Sequence, residues 1–265
     1  MILDQIAADT RLRVEVKKKE ISLEQVKRDA QSMEKNTGFP FEMALRKPDL
    51  SFICEVKKAS PSKGIIAEEF PYLQIAKEYD EAGADAISCL TEPKYFLGKD
   101  EYLKAISKEV KVPVLRKDFV VDEYQIYEAK ILGASAVLLI CAILEEEQLK
   151  DYLQIAKELG LSALVEAHDE KEIKQAVRAG AKIIGVNNRN LKDFSVNVGN
   201  STNLRNFVPP ELLFVAESGI KGPEEIKALR KNKVDAVLIG ETMMRSPDKA
   251  KMLRFLKGEE YHEES

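Results

Sequence analysis

The stretch FICEVKKASPSKG (residues 52–64) starts like a buried strand and runs straight into charge. Glu55, Lys57 and Lys58 follow Phe52-Ile53-Cys54 with no turn between them, and Ser-Pro-Ser-Lys-Gly comes next. Unpaired charge is costly to bury, so a strand that ends this way needs a reason. Whether the stretch stands alone or opens a series decides the fold. It opens a series. SFICEV (51–56), DAISCL (85–90), VPVLR (112–116), SAVLLI (135–140), SALVEA (162–167), KIIGVN (182–187), ELLFVAE (211–217) and VDAVLI (234–239) are all short apolar runs. Their length, about five or six residues, is typical of strands. Most are apolar on both faces, as parallel strands covered by helices are.

The segments between them have helical period, with apolar residues three or four apart. They are PYLQIAKEYDEAG (71–83), DEYQIYEAKILG (122–133), EEEQLKDYLQIAKELG (145–160), DEKEIKQAVRAG (169–180), GPEEIKALRK (222–231) and PDKAKMLRFLK (247–257). A Gly-Ala pair closes a helix and feeds a strand at Gly83-Ala84-Asp85, Gly133-Ala134-Ser135 and Gly180-Ala181-Lys182, a weak βα repeat. Eight strands alternating with helices over residues 49–257 predict an α/β fold, a (β/α)8 TIM barrel. A doubly wound open sheet would need a helix-opening glycine fingerprint after its first strand, and none is present. Residues 1–48 are expected to form an N-terminal helical extension that caps the barrel, and 258–265 a frayed tail.

Composition narrows the function. The 265 residues are 45% hydrophobic and 32% charged, ordinary for a globular chain. A net charge of -4 gives no basic field for nucleic acid or anionic membrane. No apolar run is long enough to span a bilayer, and the first residues have no apolar signal core, so a cytoplasmic protein is expected. Cys54, Cys89 and Cys141 sit in apolar runs without metal spacing, and the histidines are only His168 and His262. Neither a disulfide framework nor a metal site is expected.

In such a barrel the catalytic groups come from the C-terminal ends of strands. Side chains alternate along a strand, so if Ile53 faces inward, Glu55 and Lys57 do too. Lys117 is in phase with Leu115, Glu166 with Leu164 and Asn187 with Gly185. Two carboxylates, two ammonium groups and an amide are therefore expected at one mouth, where mutual pKa shifts suit general acid–base chemistry. The strand ends Glu217-Ser218-Gly219 and Gly240-Glu241 fall where barrels of this type bind phosphate. ETMMR would open a short helix there.

The motif Glu55-Val56-Lys57-Lys58-Ala59-Ser60-Pro61-Ser62 resembles the signature of the indole-3-glycerol phosphate synthase family. Leu115-Arg116-Lys117-Asp118-Phe119, Val165-Glu166-Ala167-His168, Gly185-Val186-Asn187-Asn188-Arg189-Asn190-Leu191, Ala216-Glu217-Ser218-Gly219-Ile220 and Ile239-Gly240-Glu241 resemble it in order and spacing, over nearly the whole chain. The resemblance implies ring closure, decarboxylation and dehydration of 1-(2-carboxyphenylamino)-1-deoxyribulose 5-phosphate, a step of tryptophan synthesis, without metal or organic cofactor; a monomer is expected. It implies Lys117 as the acid at the carbonyl oxygen. Glu166 would stabilise the attacking ring, and Lys57 with Glu55 would serve dehydration. Lys57 could also hold the substrate carboxylate, so which lysine serves which step stays open. Asn187 and Arg189 would hold substrate hydroxyl or anionic groups. Ser60, Ser218, Gly219, Gly240 and Glu241 would surround the phosphate, Glu241 through its backbone because a carboxylate turned inward would repel it. Phe96, Phe119, Leu138 and Leu191 would form a slot for the aromatic ring. Two rivals remain: a Schiff-base lyase using Lys57 or Lys117, and a non-catalytic sugar-phosphate-binding protein. The Ser60–Gly64 run would be a mobile first βα loop.

Overall fold

The computed structural model describes residues 2–190 and 194–259. Its core is a closed barrel of eight parallel strands: β1 (Ser51–Val56), β2 (Ala86–Leu90), β3 (Val114–Lys117), β4 (Ala136–Ile140), β5 (Ser162–Ala167), β6 (Ile183–Asn187), β7 (Leu213–Glu217) and β8 (Ala236–Ile239). Each strand pairs with its sequence neighbours, and β1 closes the barrel by pairing with β8, Ser51 opposite Ala236. This is the (β/α)8 TIM barrel that the alternating runs predict. No described helix is long and apolar enough to cross a membrane.

Alternation divides the apolar residues between two cores. Ile53, Leu115, Leu138, Leu164, Val215 and Leu238 point into the barrel and pack on one another. Cys54, Val137, Val165, Ile184, Phe214 and Val237 point out and meet the helices. All three cysteines are buried free thiols. Gly83, Gly133 and Gly180 adopt positive φ at helix ends, as the Gly-Ala repeat predicts.

Three helices precede the barrel: α1 (Ile2–Glu20), α2 (Leu23–Ser32) and α3 (Pro40–Leu45). They go to three different places. α3 closes the N-terminal end, where Phe41 and Leu45 are fully buried against the inner core. The Glu42 backbone N–H donates to Ser162 Oγ at the start of β5 (3.2 Å). α2 packs outside the barrel against the helix Tyr124–Ile131. α1 runs up to the opposite end, where its first turns meet the pocket. Its anchors are Arg13 to Asp118 (2.8 Å), Lys17 to Glu128 (2.6 Å) and Lys18 to Asp122 (2.6 Å). The extension thus reaches both ends of the barrel. Of the expected frayed tail, residues 260–265 lie outside the described residues.

The barrel helices are α4 (Tyr72–Glu81), α5 (Asp100–Glu109), α6 (Tyr124–Ile131), α7 (Glu146–Glu158), α8 (Glu170–Ala179), α9 (Gly199–Leu204), α10 (Pro223–Lys231), α11 (Glu241–Arg245) and α12 (Lys249–Lys257). The sequence pattern does not single out α5 and α9. α5 buries only Leu103 and Ile106, and α9 is built from poor helix formers. Tertiary bonds hold α9: Asn188 Oδ1 accepts from the backbone N–H and hydroxyl of Ser201 (3.0 and 2.7 Å). The Ser60–Gly64 run bridges a two-residue hairpin, Ala59–Ser60 against Gly64–Ile65.

If α3 is a plug rather than a decoration, Phe41→Ala should cost about 3–5 kcal/mol, the usual loss for an emptied aromatic core site. Denaturant unfolding measures this. A cost below about 1 kcal/mol would show that α3 is not part of the core.

Candidate active site

The barrel register gathers the last inward side chains of five strands into one layer. Glu55 lies opposite Ser88, Glu166 opposite Gly185, and Asn187 opposite Glu217. Lys117 ends β3 opposite Leu90, and Lys57 follows β1 in the same phase. The three carboxylates are at most 3% exposed, so water cannot solvate them and their partners must be local.

Lys57 Nζ bonds Glu55 Oε1, and Ser88 Oγ donates to the other oxygen of Glu55 (3.3 Å). Lys117 Nζ lies 3.4 Å from Glu217 Oε2 and 3.8 Å from Glu166 Oε2. Asn187 Nδ2 donates to Glu166 Oε1 (3.4 Å), while Asn187 Oδ1 accepts from the Arg189 backbone N–H (3.0 Å). His168 Nε2 lies 3.3 Å from Glu166 Oε1. The expected two carboxylates are therefore three. In the sequence Glu217 looks like the lead-in to a phosphate turn. The signal was there, since Leu213, Val215 and Glu217 share one phase.

Three buried carboxylates face two ammonium groups and the His168 ring, and their unequal shares set the proton balance. Burial favours the neutral form of Glu55, yet Lys57 and Lys117 hold it below its usual range. Burial acts on Glu166 the same way, but His168, Lys117 and Asn187 outweigh it and hold the carboxyl at about 2. Burial opposes the charge of Lys117, and Glu217, Glu166 and Glu55 raise its pKa above the usual value. Glu217 is left with the deficit. Burial, Glu166 and Glu55 outweigh Lys117 and bring it to about 7.

Two glycines make room for this layer. A Cβ at Gly185 would sit 2.4 Å from Glu217 Oε1, and one at Gly240 would sit 2.5 Å from Glu55 Oε1 and 2.7 Å from Lys57 Nζ. Gly240 thus serves the charge cluster, a reason the sequence did not reveal.

A cavity of about 730 Å³ opens above the charges. Its lining includes Glu55, Lys57, Lys117, Glu166, Asn187 and Arg189. Ser60, Ser218, Gly219, Gly240 and Glu241 also line it, as do Phe96, Phe119 and Leu138. Leu191, the remaining expected residue, lies outside the described residues. The Phe96 and Phe119 rings are 5.9 Å apart, tilted by 38°. Ile2, Leu3 and Ile6 of α1 add apolar lining that the sequence reading did not anticipate. Ser218 and Gly219 both adopt positive φ (67° and 84°), and Asn188 Nδ2 donates to the Ser218 carbonyl (3.1 Å). A non-glycine residue held there is strained, which is common at ligand sites. Glu241 opens α11, and its carboxylate faces Arg245 (3.1 Å) and Lys63 of the hairpin (3.5 Å).

Comparison with known proteins agrees with this geometry. A family model described as indole-3-glycerol phosphate synthase matches residues 3–256. The chain is 57% identical over 258 residues to an indole-3-glycerol phosphate synthase of Ruminiclostridium cellulolyticum, covering 97% of this chain and 99% of that one. It is 55% identical over 257 residues to one of Endomicrobium trichonymphae, covering 97% and 100%. Among solved structures, 3-hexulose-6-phosphate synthase from Salmonella typhimurium superimposes with a TM-score of 0.65 over 79% of this chain and 97% of that one. At 14% identity it speaks for the fold alone.

Gly185→Ala should push the Glu217 carboxylate out of place and lower turnover about 100-fold, as ångström-scale misplacement does. Circular dichroism should show the fold retained. Normal turnover in that variant would mean the position of Glu217 is unimportant.

Proposed function

The chain belongs to the indole-3-glycerol phosphate synthase family, and from that premise we propose how its pocket closes the indole ring. The enzyme is a decarboxylating lyase of tryptophan biosynthesis. It converts 1-(2-carboxyphenylamino)-1-deoxyribulose 5-phosphate to indole-3-glycerol phosphate. The observation that carries the assignment of roles is Lys117, an ammonium held between Glu166 and Glu217 at the floor of the cavity.

The ring carbon that bears the carboxylate attacks the ribulose carbonyl carbon. As that bond forms, the carbonyl oxygen takes a proton from Lys117. Positive charge grows on the ring, and the ionised Glu166 stabilises it. The bond to the carboxylate then breaks, carbon dioxide leaves, and its electron pair restores the aromatic ring. Lys57 holds the carboxylate until then. In the last step the new hydroxyl leaves as water, and the carbon between it and the nitrogen loses a proton. Lys57 and Glu55, bonded to each other, form the acid and base pair for that step. Phe96, Phe119 and Leu138 grip the aromatic ring. Asn187 and Arg189 hold the sugar hydroxyls, and Ser60, Ser218, Gly219, Gly240 and the Glu241 backbone hold the phosphate.

Glu217 gains a role here. At about 7 its carboxyl carries a proton roughly half the time at neutral pH, 3.4 Å from Lys117. In this reading it returns to Lys117 the proton that the carbonyl oxygen took. A Schiff-base mechanism fits less well. A nucleophilic lysine needs a depressed pKa, and the carboxylates around Lys117 raise it. In this reading the enzyme is cytoplasmic and works as a monomer; α1 of the same chain contributes Ile2, Leu3 and Ile6 to the pocket wall.

Indole fluorescence follows turnover. The protonated form of Glu217 is the one required, so kcat should fall as pH rises through about 7. Glu217→Gln should remove that limb and lower the plateau about 100-fold, the usual contribution of one acid–base group. A rate that rises through pH 7 would assign Glu217 the opposite role, and borohydride trapping of substrate on Lys117 would sink the non-covalent reading.

A further inference from the structure

His168 follows Glu166 by two residues and stands behind it, outside the lining of the cavity. Its ring sits between two carboxylates. Nε2 is 3.3 Å from Glu166 Oε1, and Nδ1 is 3.1 Å from Glu172 Oε2. The Nδ1 contact is a hydrogen bond, whereas Nε2 is buried beside Glu166 at ion-pair distance without hydrogen-bond alignment. An ionised carboxylate only accepts, so a ring between two of them is best matched when both nitrogens carry protons. The arrangement is built from the main chain outward. The His168 backbone N–H donates to Glu172 Oε2 (2.8 Å), and Asp169 caps α8 by accepting from the Glu172 N–H (2.9 Å). Glu172 is thereby fixed on the first turn of α8, and it fixes the ring.

We propose that His168 is a positioning residue of the reaction: as an imidazolium braced by Glu172, it holds the Glu166 carboxylate ionised and turned toward the pocket. The proposal rests on the reading of Glu166 as the group that stabilises the attacking ring. Without His168, Glu166 would share the Lys117 ammonium with Glu217, and its other hydrogen-bond partner among the described residues would be the neutral Asn187. Glu55, across the cavity, is bonded to Lys57. On the far side of the ring stand Glu172, Asp169 and the Cys141 thiol, whose Sγ lies 3.6 Å from the Glu172 carbonyl oxygen. Burial and Glu172 push that thiol up to about 12, so it stays neutral. Burial works against an imidazolium, but Glu166 and Glu172 raise His168 to about 10. The sign follows. His168 keeps its charge through neutral pH, and removing it raises the pKa of Glu166.

The chain has two histidines, so a ¹⁵N-histidine-labelled sample gives two imidazoles, and His168→Asn assigns one by its loss. The assigned ring should remain imidazolium from about pH 6 to about pH 9, far past an ordinary histidine. Glu172→Gln should lower its titration by about 1–3 units, as losing one close opposite charge does. In His168→Asn the acid limb of kcat/KM should move up by about 1–3 units as the Glu166 pKa rises. Titration of His168 near its ordinary value of about 6.5 would overturn the proposal. So would an unmoved acid limb in His168→Asn alongside an inactive Glu166→Gln, with any loss explained by a lower thermal midpoint. Full activity in Glu166→Gln would instead bring down the reading of Glu166, and the proposal with it.

Discussion

The buried ammonium of Lys117 between two carboxylates is the constraint on which the rest of the structure depends. Taking such charges out of water costs several kcal/mol per ion unless each finds a partner at short range. A barrel solves this with backbone register. Lys117, Glu166, Glu217 and Glu55 come from four different strands, and the parallel ladder sets all four at one height. Chemistry then follows from imbalance. Lys57 and Lys117 keep Glu55 ionised, and His168 and Lys117 keep Glu166 ionised, while Glu217 has Lys117 against burial and two like charges and holds its proton near neutral pH. One site thus holds ionised carboxylates, a buried ammonium and a carboxyl of raised pKa side by side.

The same strand does a second job on its other face. Arg116 and Asp118 flank Lys117 and point outward, where both are buried. Arg116 pairs with Asp100 (2.8 Å) and Glu128 (2.7 Å) and donates to the Gln125 carbonyl (2.9 Å). Asp118 accepts from Arg13 of α1 (2.8 Å) and from Thr91 (2.8 Å). Lys17 of α1 joins through Asp100 and Glu128. β3 therefore carries Lys117 inside and the attachment of the N-terminal helix outside. Removing one member of a buried ion network leaves the others unpaired, so stability and pocket shape are coupled there. That coupling is how α1 brings Ile2, Leu3 and Ile6 to the cavity wall.

Much of this was legible in the sequence because strand alternation is a strict period. Once Ile53 is placed inside, Glu55 and Lys57 must follow, and the same rule places Lys117, Glu166 and Asn187. Applied to Leu213 and Val215 it also places Glu217, which the Glu-Ser-Gly context disguised as the start of a phosphate turn. Other features depend on partners far away in the chain. The reach of α1 to the pocket rests on Arg13 and Asp118, 105 positions apart. His168 differs: its partner Glu172 is only four residues on, but their meeting depends on the turn from β5 into α8. Gly185 reads as an ordinary strand position and Gly240 as a phosphate turn in sequence, yet a Cβ at either would collide with a carboxylate. α5 and α9 escaped because their own periodicity is thin and tertiary contacts hold them.

The account stands or falls on Lys117 as the acid of ring closure. The decisive measurement is single-turnover indole fluorescence with Lys117→Ala beside the wild type, with circular dichroism to show the fold retained. The account predicts that the variant binds the carboxyphenylamino-deoxyribulose phosphate and forms no indole, a loss of at least about 100-fold for the missing acid. Indole formation at the wild-type rate would contradict it and move the acid role to Lys57.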